Sequence, residues 1–310
     1  MLEIFKTVKD QLQELDHFED GVWVNLIDPT PEEIKTVSEG LKIEIEYLHA
    51  PLDEEERSRI EYENGQTIIL VDTPVIEKEE NTNVYYTIPL GIIYTNESIV
   101  TICLKENPVI KDFKNSRVKN FYTSYKSRFL FQILYRNATL YLIYLRHIDK
   151  ISSRIEHELH ESMRNKELLQ LMKLEKSLVY FSTSLKANEI VLEKMLKLDY
   201  VKKYPDDTEL LEDVIIENKQ AIEMANIYSS ILSGTMDAFA SIISNNVNIV
   251  MKFLASITII IAIPTMVSSF FGMNVTNPLA HMPYAFNIIL GISLVLCVIS
   301  IIFLQKRNMF

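Results

Sequence analysis

The chain has 310 residues, of which 24% are charged, and its formal net charge is −11. Its mean hydropathy is nevertheless slightly above zero, which indicates a polar region joined to a very apolar one. Lys306 and Arg307 are the only charged residues after Lys252, so residues 1–252 carry a net charge of −13. Such an acidic surface repels nucleic acid and concentrates cations, although it also serves solubility alone.

Residues 1–108 are predicted to form an α+β domain. The N-terminus lacks a basic segment followed by an apolar one, so we expect no cleaved signal peptide and a cytoplasmic location for this domain. The turn at 95–97 indicates a hairpin between the last two strands. Apolar runs typical of strands occupy residues 21–26, 67–71, 89–94 and 98–104.

One helix of this domain is predicted to begin at Pro31. Thr30 is suited to the N-cap, proline is favoured at the first helical position, and acidic residues fill the first turn. Gly40 is expected to end the helix.

Residues 109–204 contain neither glycine nor proline. Apolar residues recur at helical spacing, for example at Leu171, Leu174 and Leu178. This pattern predicts a long helical hairpin that completes the cytosolic domain.

A further helix is predicted from Pro205, with Asp206 or Asp207 as its cap. Only Gly234 and Pro264 interrupt the sequence from there to Phe271. Residues 205–252 are therefore expected to form the cytosolic part of a stalk helix that continues into the apolar region.

Two stretches, 253–271 and 284–304, are each about 20 residues long without a charge, which is the length that crosses a bilayer. Two such stretches in succession disfavour buried core helices. The loop 272–283 lacks Lys and Arg, whereas Lys252 and the tail 305–310 are basic. The positive-inside rule therefore predicts a multi-pass protein of the inner or plasma membrane with both termini in the cytoplasm.

One face of the first span carries small or polar residues, and Met251 is its only bulky member. Close helix packing and the wall of a wet pathway both explain such a face. Its continuation through Ser244 and Ser241 to Asp237 favours the pathway. Since two helices cannot enclose a channel, several copies are expected to form a closed ring. The residues of this face are Asn248, Met251, Ala255, Thr258, Ala262, Thr265, Ser269 and Gly272.

The first span ends in Gly272-Met273-Asn274, at the outer end of the penultimate span and behind a long helix and an acidic domain. In this setting the chain resembles, over essentially its whole length, the CorA family of magnesium channels. The resemblance implies a funnel-shaped homopentamer in the lipid bilayer, with Mg²⁺ as transported and regulatory ion and without enzymatic chemistry. We expect no nucleotide or nucleic acid partner, since no Walker loop is present.

The resemblance also implies roles for individual residues. Gly272, Met273 and Asn274 match the selectivity motif, and an amide ring suits Mg²⁺, which sheds its inner water reluctantly. Other matched positions are polar pore residues (Asn248, Thr265), an apolar constriction (Met251, Leu254), a basic ring (Lys252) and acidic stalk residues (Asp213, Asp237).

Asp213 corresponds to a regulatory metal site between subunits, and its partner carboxylate is unassigned, with Glu106 and Asp112 as candidates. This chain departs from the family in its outer loop, since residues 275–283 contain no acidic residue. Ions should therefore be concentrated less strongly at the mouth.

Two alternatives stay open. Relatives with an altered motif suggest transport of Zn²⁺, Co²⁺ or Ni²⁺, with or without proton coupling. A membrane-anchored scaffold or sensor that does not conduct would use both spans as anchors and the small-residue face for packing.

Overall fold

The computed structural model describes residues 1–79, 82–162, 165–198, 205–273 and 284–307. The chain forms two compact units, Met1–Gly234 and Thr235–Phe310.

The first unit is built on a mixed sheet with strand order β2-β1-β3-β7-β6-β5-β4. Strands β3 and β7 pair in parallel, and the other neighbours are antiparallel. The hairpin predicted around residues 95–97 is confirmed, since β6 and β7 are antiparallel neighbours. The strands are β1 (Leu2–Val8), β2 (Gln11–Glu14), β3 (Trp23–Ile27), β4 (Arg59–Glu63), β5 (Gln66–Glu79), β6 (Thr82–Tyr94) and β7 (Ile99–Cys103).

Both faces of the central strands are buried, because helices cover the two sides of the sheet. Val24 and Val100 point to one side and join a core with Ile34 and Leu48. Those two residues belong to helices α1 (Pro31–Leu41) and α2 (Ile45–His49), and a short 3₁₀ helix (Ala50–Leu52) follows. Alternation along a strand sends Trp23 to the opposite side.

Trp23 anchors that opposite side of the sheet. Its ring centroid lies 5.2 Å from that of Phe129, and its indole N–H donates to the Thr101 hydroxyl over 2.8 Å. Buried indole N–H groups need such a partner.

Helix α1 begins as predicted, because Thr30 and Glu33 form a reciprocal capping box. The expectation for Gly40 is wrong: the helix continues to Leu41, and Lys42 adopts a left-handed conformation with φ 55°. Gly40 instead allows close packing, since a Cβ there would lie 2.5 Å from the Phe18 ring.

A short helix α3 (Pro108–Lys114) comes first, and the hairpin of α4 (Lys126–Ser162) and α5 (Asn165–Leu196) follows it. The segment 115–125 between α3 and α4 is not helical. Ser116 and Asn120 have φ of 53° and 57° in this segment, a conformation that interrupts a helix.

The long helix and the second apolar helix predicted from the sequence are confirmed as α6 (Pro205–Phe271) and α7 (Ala285–Lys306). Both are long and apolar enough to cross a membrane. Only 6% and 11% of their most apolar stretches are buried within the chain. Such exposure contradicts the alternative that they are core helices of a soluble domain.

Candidate ion pathway

Within the second unit, α6 has one face covered by α7. Ser256 is fully buried on this face, and further residues at helical spacing are half-buried. On α7, Ser293 is buried and Cys297 is half-buried. On this face, the half-buried residues of α6 are Ile260, Ile263, Val267 and Phe271.

The predicted small-residue face lies on roughly the opposite side of α6. Each residue turns the helix by about 100°, which places Ala255 and Thr258 away from Ser256 and Ile260. The small residues of this face between 255 and 269 are all exposed. Packing against α7 therefore does not explain them, and they are free to face other copies or water.

Hydroxyl groups give this face its chemistry. Thr258 donates its hydroxyl hydrogen to the Leu254 carbonyl over 2.9 Å, and Thr265 donates to the Ile261 carbonyl over 3.1 Å. The lone pairs of both oxygens stay available as acceptors. Acceptors of this kind suit an ion that keeps its water shell, because its water molecules present hydrogens outward.

A recess of about 400 Å³ lies at the C-terminal end of the same face. Small residues create it, since bulky neighbours flank them. Thr265 and Ser269 supply its polar atoms. The recess is lined by Ala262, Thr265, Met266, Ser269, Phe270 and Met273.

Of the predicted selectivity motif, Gly272 and Met273 are described, whereas Asn274 lies outside the described residues. The Gly272 N–H donates to the Ser268 carbonyl over 2.9 Å and closes the last turn. A Cβ at Gly272 would lie 3.2 Å from that carbonyl oxygen. The close approach explains why glycine suits this position.

The two residues of the predicted constriction are not covered by other parts of the described chain. Met251 and Leu254 are 60% and 57% exposed, and Asn248 and Lys252 are exposed as well. Met251 lies in line with the small-residue face, and Leu254 lies beside it.

Pro264 frees a backbone carbonyl, which α7 approaches. Proline has no N–H to donate to Ile260, four residues earlier. The Cys297 thiol of α7 lies 3.8 Å from that carbonyl oxygen, in donor geometry. The freed carbonyl thus faces α7 rather than the small-residue face. Sequence reasoning missed this contact, although Ser293, Cys297 and Ser300 recur at helical spacing.

The four acidic residues predicted for regulation differ in their surroundings. Asp213 and Asp237 are exposed. Glu106 is exposed and lies 3.0 Å from the Lys111 ammonium.

Asp112 is instead buried, and two arginines balance its charge. Its carboxylate accepts from Arg117 over 3.1 Å and from Arg136 over 2.7 Å. Among the described residues no three His, Cys, Asp or Glu side chains are grouped to hold a metal ion. Asp213 therefore belongs to no such group among the described residues.

A family model for the CorA-like Mg²⁺ transporter protein matches residues 18–307. The chain belongs to the CorA family. One CorA relative, the cobalt/magnesium transport protein CorA of Methanocaldococcus jannaschii, is 28% identical over 318 residues. The match covers 97% of this chain and 95% of the relative.

The CorA fold extends over the whole chain. The complete structure of the CorA magnesium transporter from M. jannaschii matches with a TM-score of 0.85 at 24% identity, covering 100% of this chain and 99% of that one. The ZntB cytoplasmic domain from Vibrio parahaemolyticus matches with a TM-score of 0.60 at 12% identity, covering 79% of this chain and 96% of that domain. At these identities the likeness concerns the fold.

Proposed function

We propose that this chain is one subunit of a passive channel that carries hydrated Mg²⁺ across the cell membrane, with Co²⁺ as a second cargo. The observation that carries the proposal is the exposed hydroxyl-bearing face of α6, which α7 leaves uncovered. Family membership and the ions named for the M. jannaschii relative agree with it.

The proposed assembly is a closed homopentamer with α6 innermost. This order follows from the two faces of α6, because the buried face is taken by α7 and the opposite face is available to line an axis. The basic residues Lys252, Lys306 and Arg307 favour cytoplasmic termini.

In this channel, amides of Asn274 at the outer end bind the water shell of the ion. A carboxylate ring would hold a divalent cation more tightly and slow its exit. Met251 and Leu254 form an apolar constriction that excludes water when the ring is tight, and Lys252 forms a basic ring beside it.

We further propose that cytosolic Mg²⁺ regulates the channel. The ion neutralises Asp213 against a carboxylate of the next subunit and holds the ring closed, with Asp237 contributing to the acidic stalk. Glu106 suits the partner role better than Asp112, since two arginines already neutralise Asp112. When Mg²⁺ falls, repulsion between carboxylates loosens the ring.

The proposal is tested by Mg²⁺ uptake into proteoliposomes. Asn274→Ala should impair uptake, because the amide ring is lost. Thr265→Leu should also impair it, because a bulky apolar side chain replaces an acceptor at the recess. Val295→Leu adds similar bulk to the exposed side of α7 and should leave uptake unchanged. Equal uptake by all four proteins would contradict the assigned pathway.

The same vesicles separate the two alternatives. Zn²⁺ or Ni²⁺ flux that exceeds Mg²⁺ flux and follows an imposed pH gradient would identify a proton-coupled transporter. A correctly assembled protein without flux of any divalent ion would identify a scaffold or sensor.

A further inference from the structure

Three positively charged side chains lie at the end of α6 and α7 that is remote from the Gly-Met-Asn motif. They are Lys252 of α6 and Lys306 and Arg307 of α7. No acidic residue follows Asp237 in the sequence, so these three are the only charged side chains of residues 238–310 at neutral pH. All three are exposed, and none of them forms an ion pair within the described part of the chain.

The three cations lie at nearly the same level along the helix pair. The Ile260 carbonyl and the Cys297 thiol mark one level of this pair. Because consecutive membrane spans run in opposite directions, residues before Ile260 are level with residues after Cys297. Lys252 lies about 12 Å from the marked level, and Lys306 and Arg307 lie about 14 Å and about 15 Å from it on the same side. The charges therefore gather within about one helical turn.

Two of these cations flank the seam between the helices. Lys252 lies one turn before Ser256, which is fully buried on the face of α6 that α7 covers. The Ser256 hydroxyl donates to the Lys252 carbonyl over 2.8 Å. On α7, Leu304 is buried and lies seven residues after Cys297, on the face that meets α6. Arg307 follows Leu304 by three residues and is therefore close to the same face.

Apolar side chains lie directly beside these charges. Phe253 of α6 and Phe303 of α7 are both more than half exposed. The Arg307 guanidinium lies 5.8 Å from the centroid of the Phe303 ring, a cation–π contact that restrains it at the end of the helix. Further along α7 towards the motif, Ile299 and Ile302 are exposed as well. A cluster of unpaired positive charge thus continues into an exposed apolar surface.

We propose that the ends of α6 and α7 form a binding site for an anionic phospholipid. Lys252, Lys306 and Arg307 bind the phosphate, and a guanidinium suits this role because it donates two parallel hydrogen bonds. The acyl chains cover the apolar surface around Phe303 and Ile299. Clusters of basic residues next to a membrane span attract anionic lipids in this way.

The same features favour a lipid over other anions. A soluble phosphate satisfies the charges but leaves the apolar surface uncovered. An acidic peptide leaves it uncovered too, because the charge-free part of the helices extends into the hydrocarbon core. A zwitterionic lipid covers the apolar surface, but its own cationic group is repelled by the three charges.

Lipid binding also has a consequence for the proposed assembly. Copies of Lys252 on neighbouring subunits repel one another beside the constriction, and lipid phosphates reduce this repulsion. That consequence rests on the proposed function, whereas the lipid site itself does not.

The first test is native mass spectrometry of the purified full chain in neutral detergent, titrated with phosphatidylglycerol or phosphatidylcholine. Wild type should bind phosphatidylglycerol more tightly than phosphatidylcholine. A triple variant with Lys252→Gln, Lys306→Gln and Arg307→Gln should bind phosphatidylglycerol roughly fivefold more weakly for each cation removed. Its affinity for phosphatidylcholine should be unchanged.

A matched control lowers the net charge equally at exposed positions of the first unit. This control should bind both lipids like wild type, and an equal loss in it would show that net charge alone attracts the lipid. Wild-type affinity for phosphatidylglycerol in the triple variant would overturn the proposal. The control substitutions are Lys9→Gln, Lys119→Gln and Lys150→Gln.

A second measurement uses wild type alone, in case the triple variant fails to assemble. Glycerol phosphate, which has the phosphate without acyl chains, should fail to displace bound phosphatidylglycerol even in large excess. Full displacement would identify a site for soluble anions and reject the lipid site, as would equal wild-type affinities for the two lipids. Mg²⁺ uptake by the same preparation bears on the proposed function, while the lipid affinities alone decide this inference.

Discussion

Pro264 leaves the Ile260 carbonyl of α6 without its helical donor, and the Cys297 thiol of α7 lies 3.8 Å from that oxygen. In a bilayer such a group has no water to turn to, so a weak donor matters more than it would at a protein surface. The pair therefore joins the two helices where α6 lacks one of its helical hydrogen bonds.

Replacement of this thiol tests the contact. Cys297→Ala removes the donor and should destabilise the helix pair by about 1 kcal/mol. Cys297→Ser retains a donor of similar size and should behave like wild type. The measurement is denaturant-induced loss of helicity in detergent. Equal stability of the alanine and serine variants would show that the thiol acts by packing alone.

Local sequence signals predicted the structural roles of some residues correctly and those of others wrongly. The start of α1 was predictable because Thr30, Pro31 and Glu33 act within one turn. The prediction that Gly40 ends α1 was wrong because the role of this glycine depends on Phe18. That residue is remote in sequence, and its ring approaches the glycine. The neutralisation of Asp112 by Arg136 depends in the same way on a contact between two helices.

Helix α6 combines two environments in one element. Its first part carries buried residues such as Leu211 and Val214, and its last part carries an exposed apolar surface. Exposed Asp213 lies between Leu211 and Val214 in sequence but on a different side of the helix. A carboxylate in this position is accessible from outside the chain.

Neutralisation of this carboxylate is expected to weaken feedback. Asp213→Asn should require a higher cytosolic Mg²⁺ concentration to reduce current, because one cation-binding group per subunit is lost. Patch recordings at graded internal Mg²⁺ measure the shift. Asp206→Asn, at an exposed position in the first turn of the same helix, is the matched control. Identical inhibition curves for Asp213→Asn and wild type would exclude a regulatory role.

Helices were predictable where one sequence pattern continued over many residues. The charge-free stretches indicated the apolar helices, and the absence of glycine and proline indicated the α4–α5 hairpin. The non-helical segment 115–125 contains no such breaker, and its chain reversal relies on positive φ at Ser116 and Asn120. The face of α6 that α7 covers was not predictable, because the small-residue pattern alone fits either role.

At the scale of the whole molecule, the family and the fold followed from a motif and from the order of the segments. The proposed channel needs several copies, and no short sequence pattern encodes the contacts between them. Exposed apolar residues between Met251 and Phe270 are consistent with such contacts.

Insertions into α6 test whether Mg²⁺ uptake depends on the unbroken course of this helix. Gly234 is exposed, and a side chain there would meet nothing within 4 Å. Insertion of one alanine after Gly234 should abolish Mg²⁺ uptake, and insertion of seven should restore it in part. Gly234→Ala alone should be tolerated, since alanine favours a helix. Equal uptake by the two insertion variants would show that uptake does not depend on the rotation that an insertion imposes on the later residues of α6.

The reason lies in the unbroken course of α6 from Pro205 to Phe271. One extra residue turns everything after it by about 100°, whereas seven residues return it to within about 20°. We therefore expect natural length variation within α6 to come in whole helical turns.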